Sequence, residues 1–320
     1  MIRDFVTIAV DFKGIVKMPK RIVITGATGL IGKKLAKKIH QQGDTPVIIS
    51  RDPVQARGMA FVNEFVKWDY KDPKPVLKKL EGAHAFVNLA GASVAERWSD
   101  PYKMVILNSR VQTTDALVNA ISMLEEKPKV LVSSSATGYY GNTGDEEVDE
   151  VSPRGEGFLA DVCTAWEQEA QIARDHGVRV SIVRTGVVLS PEGGALKKMI
   201  PAFKYFVGGS LGAGTQWMSW IHIDDIVDLY LHLIDNPQDG VFNGVSPTPV
   251  MMDVFVFQLG RALKKPSLMK VPSFALKLMF GEMASTILDS QKVIPAYTEK
   301  SGFHFKFSEL DEALEDLLRV

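Results

Sequence analysis

Three glycines in Thr25-Gly26-Ala27-Thr28-Gly29-Leu30-Ile31-Gly32 stand three residues apart, between a β-branched run and a helical pattern. That spacing lets the backbone turn tightly after a strand and approach a pyrophosphate, whose charge the amides of the following helix N-terminus complement. Gly26, Thr28, Gly29, Leu30, Ile31 and Gly32 are therefore candidate cofactor contacts, in the strand–helix context that sets a dinucleotide site apart from an ordinary turn. Ser50 and Arg51, closing the second β-rich run, decide which dinucleotide. An NAD site places Asp or Glu there, whereas a hydroxyl and a guanidinium suit a 2′-phosphate. The pair predicts NADP(H); a solvated surface arginine is the rival reading of Arg51. Asp69, after the third run, is placed to reach the adenine amino group or to cap its loop. Leu89-Ala90-Gly91 offers small residues where a cofactor ribose passes.

The elements that must position these residues alternate. Short β-rich runs at 21–25, 46–50, 65–68, 85–89, 129–133 and 178–184 are separated by helical patterns near 33–42, 101–123 and 161–175. Strands alternating with helices imply βαβ crossovers and a parallel sheet covered on both faces. After Arg184 the pattern loosens into glycine-rich 208–214, a Trp-rich strand 217–223, loops at Pro237 and Pro247–Pro249, and a terminal helix 309–318. The expected fold is α/β: a Rossmann-type doubly wound parallel sheet with a smaller C-terminal α/β substrate lobe. Residues 1–18 form an N-terminal extension, 19–184 the NADP-binding domain, and 185–320 a substrate lobe interleaved with it. An extra edge strand is the rival reading of 1–17.

Composition excludes several classes. With 37 basic and 38 acidic side chains in 320 residues, and no basic cluster read along the chain, nothing marks a nucleic-acid reader. The single cysteine, Cys163, forbids an internal disulfide and a multi-cysteine metal site. No apolar run approaches the roughly 18 residues of a membrane span, and the N-terminus lacks a secretory pattern. The expectation is a cytoplasmic protein with neither membrane nor nucleic-acid partner, and no bound metal.

Longer strings carry a resemblance: TGATGLIG at 25–32, NLAGASVAERW at 88–98, SRVQTT at 109–114, SSSATGYYG at 133–141, RTGVVLSPEGGAL at 184–196, GAGTQWMSWIHIDD at 212–225, and GEM…SQKVIP within 281–295. Over residues 20–318 the chain resembles the extended short-chain dehydrogenase/reductase superfamily. Within it the chain is similar to the atypical "epimerase family protein" group, NAD-dependent epimerase/dehydratase-like and sugar-nucleotide-epimerase-like, with a characteristic C-terminal domain. The superfamily's chemistry uses a Tyr and a Lys one helical turn apart, a Ser that orients the substrate oxygen, and an Asn that supports a proton path. A phenol must drop about three pKa units, about 4 kcal/mol, to exchange protons readily at neutral pH. The resemblance places the serine at Ser135, but Leu159 at the Tyr position, Cys163 at the Lys position and Arg110 at the Asn position.

The standard relay is therefore missing. Tyr70 and Lys74 have the right spacing, but Pro73 interrupts them and the pair reads as a loop coincidence. Tyr139 or Tyr140 is a substitute acid, with loop architecture as the rival reading; Cys163 is a substitute nucleophile or core packing. Arg110 pairs with a cofactor phosphate or a substrate carboxylate, or lies on a helix surface. His222-Ile223-Asp224-Asp225 reads as a strand–helix turn capped by Asp224 or Asp225. By resemblance Arg184 and Val188 flank the nicotinamide end, and Gln216 and Trp217 belong to the loop that embraces a nucleotide diphosphate in sugar-nucleotide epimerases. That loop lacks an arginine before Trp220. The reading is an NADP(H)-binding oxidoreductase of an unknown small carbonyl or enone substrate. Its alternatives are a sugar-nucleotide epimerase or dehydratase, and a non-catalytic NADP(H) sensor acting through a protein partner, since some members of the group carry a cell-division name.

Overall fold

The computed structural model describes residues 18–52 and 59–319. The choice between extension and edge strand for residues 1–17 lies outside the described residues. The β-rich runs form a seven-stranded parallel sheet: β1 (Arg21–Thr25), β2 (Thr45–Ser50), β3 (Glu64–Lys67), β4 (Ala85–Asn88), β5 (Val130–Ala136), β6 (Arg179–Thr185) and β7 (Gly240–Gly244). Their order is β7-β6-β5-β4-β1-β2-β3, the expected Rossmann-type arrangement. Chain direction across the sheet reverses between β1 and β4, which leaves a crevice at their C-terminal ends.

Alternation along each strand serves two cores. Ile22 and Ile24 pack with Leu35 and Ile39 of α1 (Leu30–Gln41), while Val23 faces the opposite side with Leu117 and Ile121 of α2 (Asp100–Met123). On that side α3 (Phe158–Gln171) adds Ala170. Gly32 lets α1 lie close on the turn before it, since a Cβ there would come within 2.6 Å of Ala27 Cα and of Gly26 O.

Beyond β6 come α4 (Gly194–Lys204), α5 (Ile223–Asp235), α6 (Met252–Leu263), α7 (Ser273–Phe280) and α8 (Leu310–Leu317). Helix α5 belongs to the sheet, with Ile226, Tyr230 and Leu233 in the same core as Ile22 and Ile24. Strand β7 was not apparent in the sequence because Pro237 and Gly240 interrupt its approach. Its residues nevertheless pair one for one with Ser181–Thr185, and Phe242 is fully buried. A separate core, with Phe203, Trp220, Phe255, Leu259 and Leu314, holds α4, α6 and α8 together.

The Trp-rich strand is two pieces. Trp217–Met218 pairs antiparallel with Val250–Met251, and Trp220–His222 pairs parallel with Val187–Leu189. Ser219 breaks the run by donating its hydroxyl to Gln291 O at 2.7 Å. The cap of α5 also differs from expectation: His222 Nδ1 accepts from Asp224 N at 3.0 Å, so the histidine is the capping residue. Asp225 instead accepts from the Lys306 and Phe307 amides and fastens the C-terminal segment to α5.

Candidate functional site

A cleft of about 390 Å³ opens at the C-terminal ends of β1, β2 and β4. Gly26, Thr28 and Gly29 form one wall, Ser50 and Arg51 another, and Leu89, Ala90 and Gly91 a third. Gly26 makes the turn possible: its φ is +69°, and a Cβ would meet Leu89 O at 2.5 Å. Gly29 precedes α1 without a side-chain cap, and the first turn of the helix carries no acidic residue. The helix end thus presents partial positive charge to the cleft, as a pyrophosphate requires. Ser50 Oγ accepts from the Asp52 amide at 3.2 Å and shapes the turn that carries the exposed Arg51. These groups fit a phosphorylated dinucleotide.

Of the other expected contacts, Leu30, Ile31 and Val188 pack their side chains against the core, and Gly32 is filled by the turn. Asp69 accepts from Lys71 N at 3.2 Å, closing its own loop. The neighbouring residue lines the cleft instead. Tyr70 adopts φ +64°, stacks with Trp68 at 5.0 Å, and is pushed by burial to a pKa of about 12 against the nearby Arg51 charge. Its role depends on a left-handed backbone conformation that only Lys71-Asp72-Pro73, a turn-forming sequence, could have hinted at. Val105, Ser109 and Thr113 of α2 also line the cleft and gave no sequence signal beyond their helix.

Deeper, Ser135, Tyr140 and Arg184 meet in one buried network centred on Glu167. Ser135 Oγ donates to Glu167 Oε1 at 2.6 Å. Arg184 grips the same carboxylate twice, Nε to Oε1 at 2.9 Å and Nη2 to Oε2 at 2.8 Å. Its Nη1 donates to the Tyr140 hydroxyl at 3.0 Å, which in turn donates to Asn243 Oδ1 at 2.8 Å. Burial works against the Arg184 charge, but the Glu167 hydrogen bonds hold its pKa above the ordinary value. Burial pushes Tyr140 up to about 12, with Arg184 opposing. Cys163, one turn of α3 from Leu159, is pushed by burial to about 11 and donates to Ala136 O at 3.6 Å. Neither group is an acid that releases a proton readily near neutrality.

Arg110 is half-buried beneath Gly91, where a Cβ would meet its Cζ at 3.0 Å. It donates to Ile106 O at 3.0 Å and Ala92 O at 3.1 Å and lies 5.1 Å from the Trp166 ring, so it braces the Gly91 wall from behind. Gln216 is turned into its own loop, donating to Leu211 O and accepting from Gly214 N. Trp217 donates to Asp145 Oδ1 at 2.9 Å. His222, Asp224 and Asp316 come within 4.8 Å of one another, with Lys34 paired to Asp224 and Arg319 to Asp316. A second, open groove of about 700 Å³ lies beside α7, between Trp98 and Phe158 on one side and Ser273, Lys277, Ser285 and Asp289 on the other.

Comparison with known proteins gives a consistent picture. The NAD dependent epimerase/dehydratase family matches residues 22–245, and a domain of unknown function (DUF1731) matches 271–317. The chain is 40% identical over 301 residues to the Epimerase family protein SDR39U1 homolog, chloroplastic, of Arabidopsis thaliana, covering 93% of this chain and 86% of that one. It is 39% identical over 306 residues to an Epimerase family protein of Staphylococcus aureus, covering 93% and 99%. Its fold superposes on the crystal structure of human epimerase family protein SDR39U1 (isoform2) with NADPH at a TM-score of 0.84 and 31% identity, covering 93% of this chain and 99% of that one.

Proposed function

The chain belongs to the NAD dependent epimerase/dehydratase family, and from that membership we propose an NADP(H)-dependent oxidoreductase that reduces a small carbonyl or enone without a tyrosine–lysine relay. The observation that carries the reading is the cleft wall at the end of β2, where Ser50 and Arg51 stand in place of the carboxylate an NAD site uses. The human relative crystallised with NADPH supports the same choice. NADPH, when bound, supplies the hydride. The α1 N-terminus and Arg51 would hold its phosphates, and Tyr70 would flank the end nearest Arg51.

Substrate would enter by the groove under Trp98 and Phe158, with Lys277 and Ser273 to hold a polar group. Ser135 would orient the acceptor oxygen. In the free protein its proton points to Glu167; to orient that oxygen the hydroxyl would rotate and donate to it instead, and the proton that completes reduction comes from water. A positioned acceptor is sufficient for hydride transfer, at a slower rate than with a relay. Gln216, whose amide is committed to Leu211 O and Ile287 O, gives no support to diphosphate recognition, which weighs against a sugar-nucleotide epimerase.

The test is NADPH oxidation by the intact chain against a panel of aldehydes, ketones and enones, with Ser135→Ala beside it. Turnover that the serine variant reduces supports the reading. Tight NADPH binding with no turnover anywhere in the panel overturns it in favour of a cofactor-binding protein without catalysis, a reading the locked Tyr140–Arg184–Glu167 network favours. Turnover of UDP- or dTDP-sugars instead would restore the epimerase.

A further inference from the structure

We infer that the face built by residues 193–212 and 254–281 seats the chain on the surface of an anionic lipid bilayer. The two segments are joined in space. Gly209–Leu211 pairs in parallel with Met269–Val271, Gly212 N donates to Val271 O at 2.8 Å, and the Lys265 ammonium stands 4.1 Å from the Phe206 ring centre. A Cβ on Gly212 would touch Ser273 Oγ at 3.4 Å, so α7 starts against the same patch.

This face concentrates what a soluble surface normally disperses. Ten of the 17 large apolar side chains that stand exposed among the described residues belong to it. They project individually: Leu268 is 89% exposed, Tyr205 79%, Leu278 77% and Phe274 75%. Helix α7 buries only Leu276 and turns Phe274 and Leu278, four residues apart, outward. Phe206 is held at φ +63°, a conformation bulky residues rarely adopt, with its ring exposed.

Charge selects the partner. The two segments contain eight lysines and arginines and no aspartate or glutamate, against the exposed Glu192, Asp253 and Glu282 at their borders, in a chain whose formal charge is −1. The rest of the molecule is therefore net acidic. Read along the sequence these cations do not form a run; the pairing of Gly209–Leu211 with Met269–Val271 joins the two segments that carry them. A two-fold contact with a second copy would set two such basic faces against each other. A single-stranded nucleic acid could stack on Tyr205, Phe206, Phe257 and Phe274 but would leave the protruding Leu268, Met269, Leu278 and Met279 in water, whereas a bilayer takes both sets. Exposed apolar side chains in segments that also carry ammonium groups on flexible stems match an acyl boundary beneath anionic headgroups. No helix of the described residues is long and apolar enough to cross a membrane, so the contact is from one side. It revises the expectation of no membrane partner.

The experiment is sedimentation of the full chain with phosphatidylcholine vesicles, with and without phosphatidylglycerol, across a salt series. Binding to the anionic vesicles alone, weakening as salt rises, is the expected result. Lys264→Gln with Lys270→Gln should lower partitioning by ~5-fold per lysine, and Leu268→Ser with Leu278→Ser should lower it further. All four positions are exposed, and unfolding midpoints matching the parent chain verify the fold of each variant. The lysine pair alone decides the matter if the leucine pair misfolds. Equal binding to neutral vesicles, no binding to either, or binding unchanged in both variants overturns the inference. So does a vesicle-free dimer that Leu278→Ser dissolves, or capture by an acidic protein without vesicle binding.

Discussion

Among the described residues that line the cleft, Arg51 is the one positive side chain, next to Asp52, and its charge is what should separate the two nicotinamide dinucleotides. Arg51→Glu removes a charge-assisted hydrogen bond and adds repulsion, so NADPH affinity should fall ~10–100-fold while NADH binding changes little. Titration calorimetry with both dinucleotides measures this. Glu167 bears a different burden, since among the described residues it is the carboxylate paired with the buried Arg184. Glu167→Gln should cost about 3 kcal/mol in urea unfolding, because a guanidinium is left buried without a counter-charge. Glu167→Leu with Arg184→Met should recover much of the loss. The glycines and the Ser50-Arg51 pair were legible in the sequence because a strand, a turn and a helix start lie within a few residues. The Glu167 network was not: Ser135, Glu167 and Arg184 come from β5, α3 and β6, and only the packed sheet aligns them.

At the scale of elements, His222 ends a short strand, caps α5 and reaches toward α8, with Nε2 3.5 Å from Asp316 Oδ2. Burial lowers its pKa from 6.5 to about 4, the charges of Asp224 and Asp316 opposing and those of Lys34 and Lys306 assisting. The folded form therefore favours neutral imidazole. Stability is complete above about pH 6.5 and declines as pH falls toward 4, where the unfolded chain takes up a proton the folded chain resists, a difference of about 3 kcal/mol. Thermal midpoints from pH 7 to pH 5 should drop in the parent chain and much less in His222→Asn, which keeps an acceptor for the Asp224 amide. A steeper fall in the variant would sink this assignment. Its capping role was hidden in the sequence, where aspartates beside a helix start are the commoner caps.

The molecule as a whole closes its sheet late. Periodicity located six strands, but β7 has only Val241 and Phe242 as large apolar residues, between glycines and after Pro237. Its membership is decided by the vacant edge of β6 and by the core that Phe242 completes. A chain ending at residue 190 should therefore be recovered as aggregate, whereas extension to residue 245 should raise the soluble fraction several-fold; centrifugation after expression measures it. The former lacks α5 as well as β7, so the core that α1 shares with Ile22 and Ile24 loses Ile226, Tyr230 and Leu233, and the β6 edge is left unpaired. For a ribosome reading from the N-terminus, the six early strands emerge while their cover and seventh partner are still untranslated. The nascent protein spends that interval with a sticky edge, so chaperone demand during synthesis should be greatest between the emergence of β6 and that of β7.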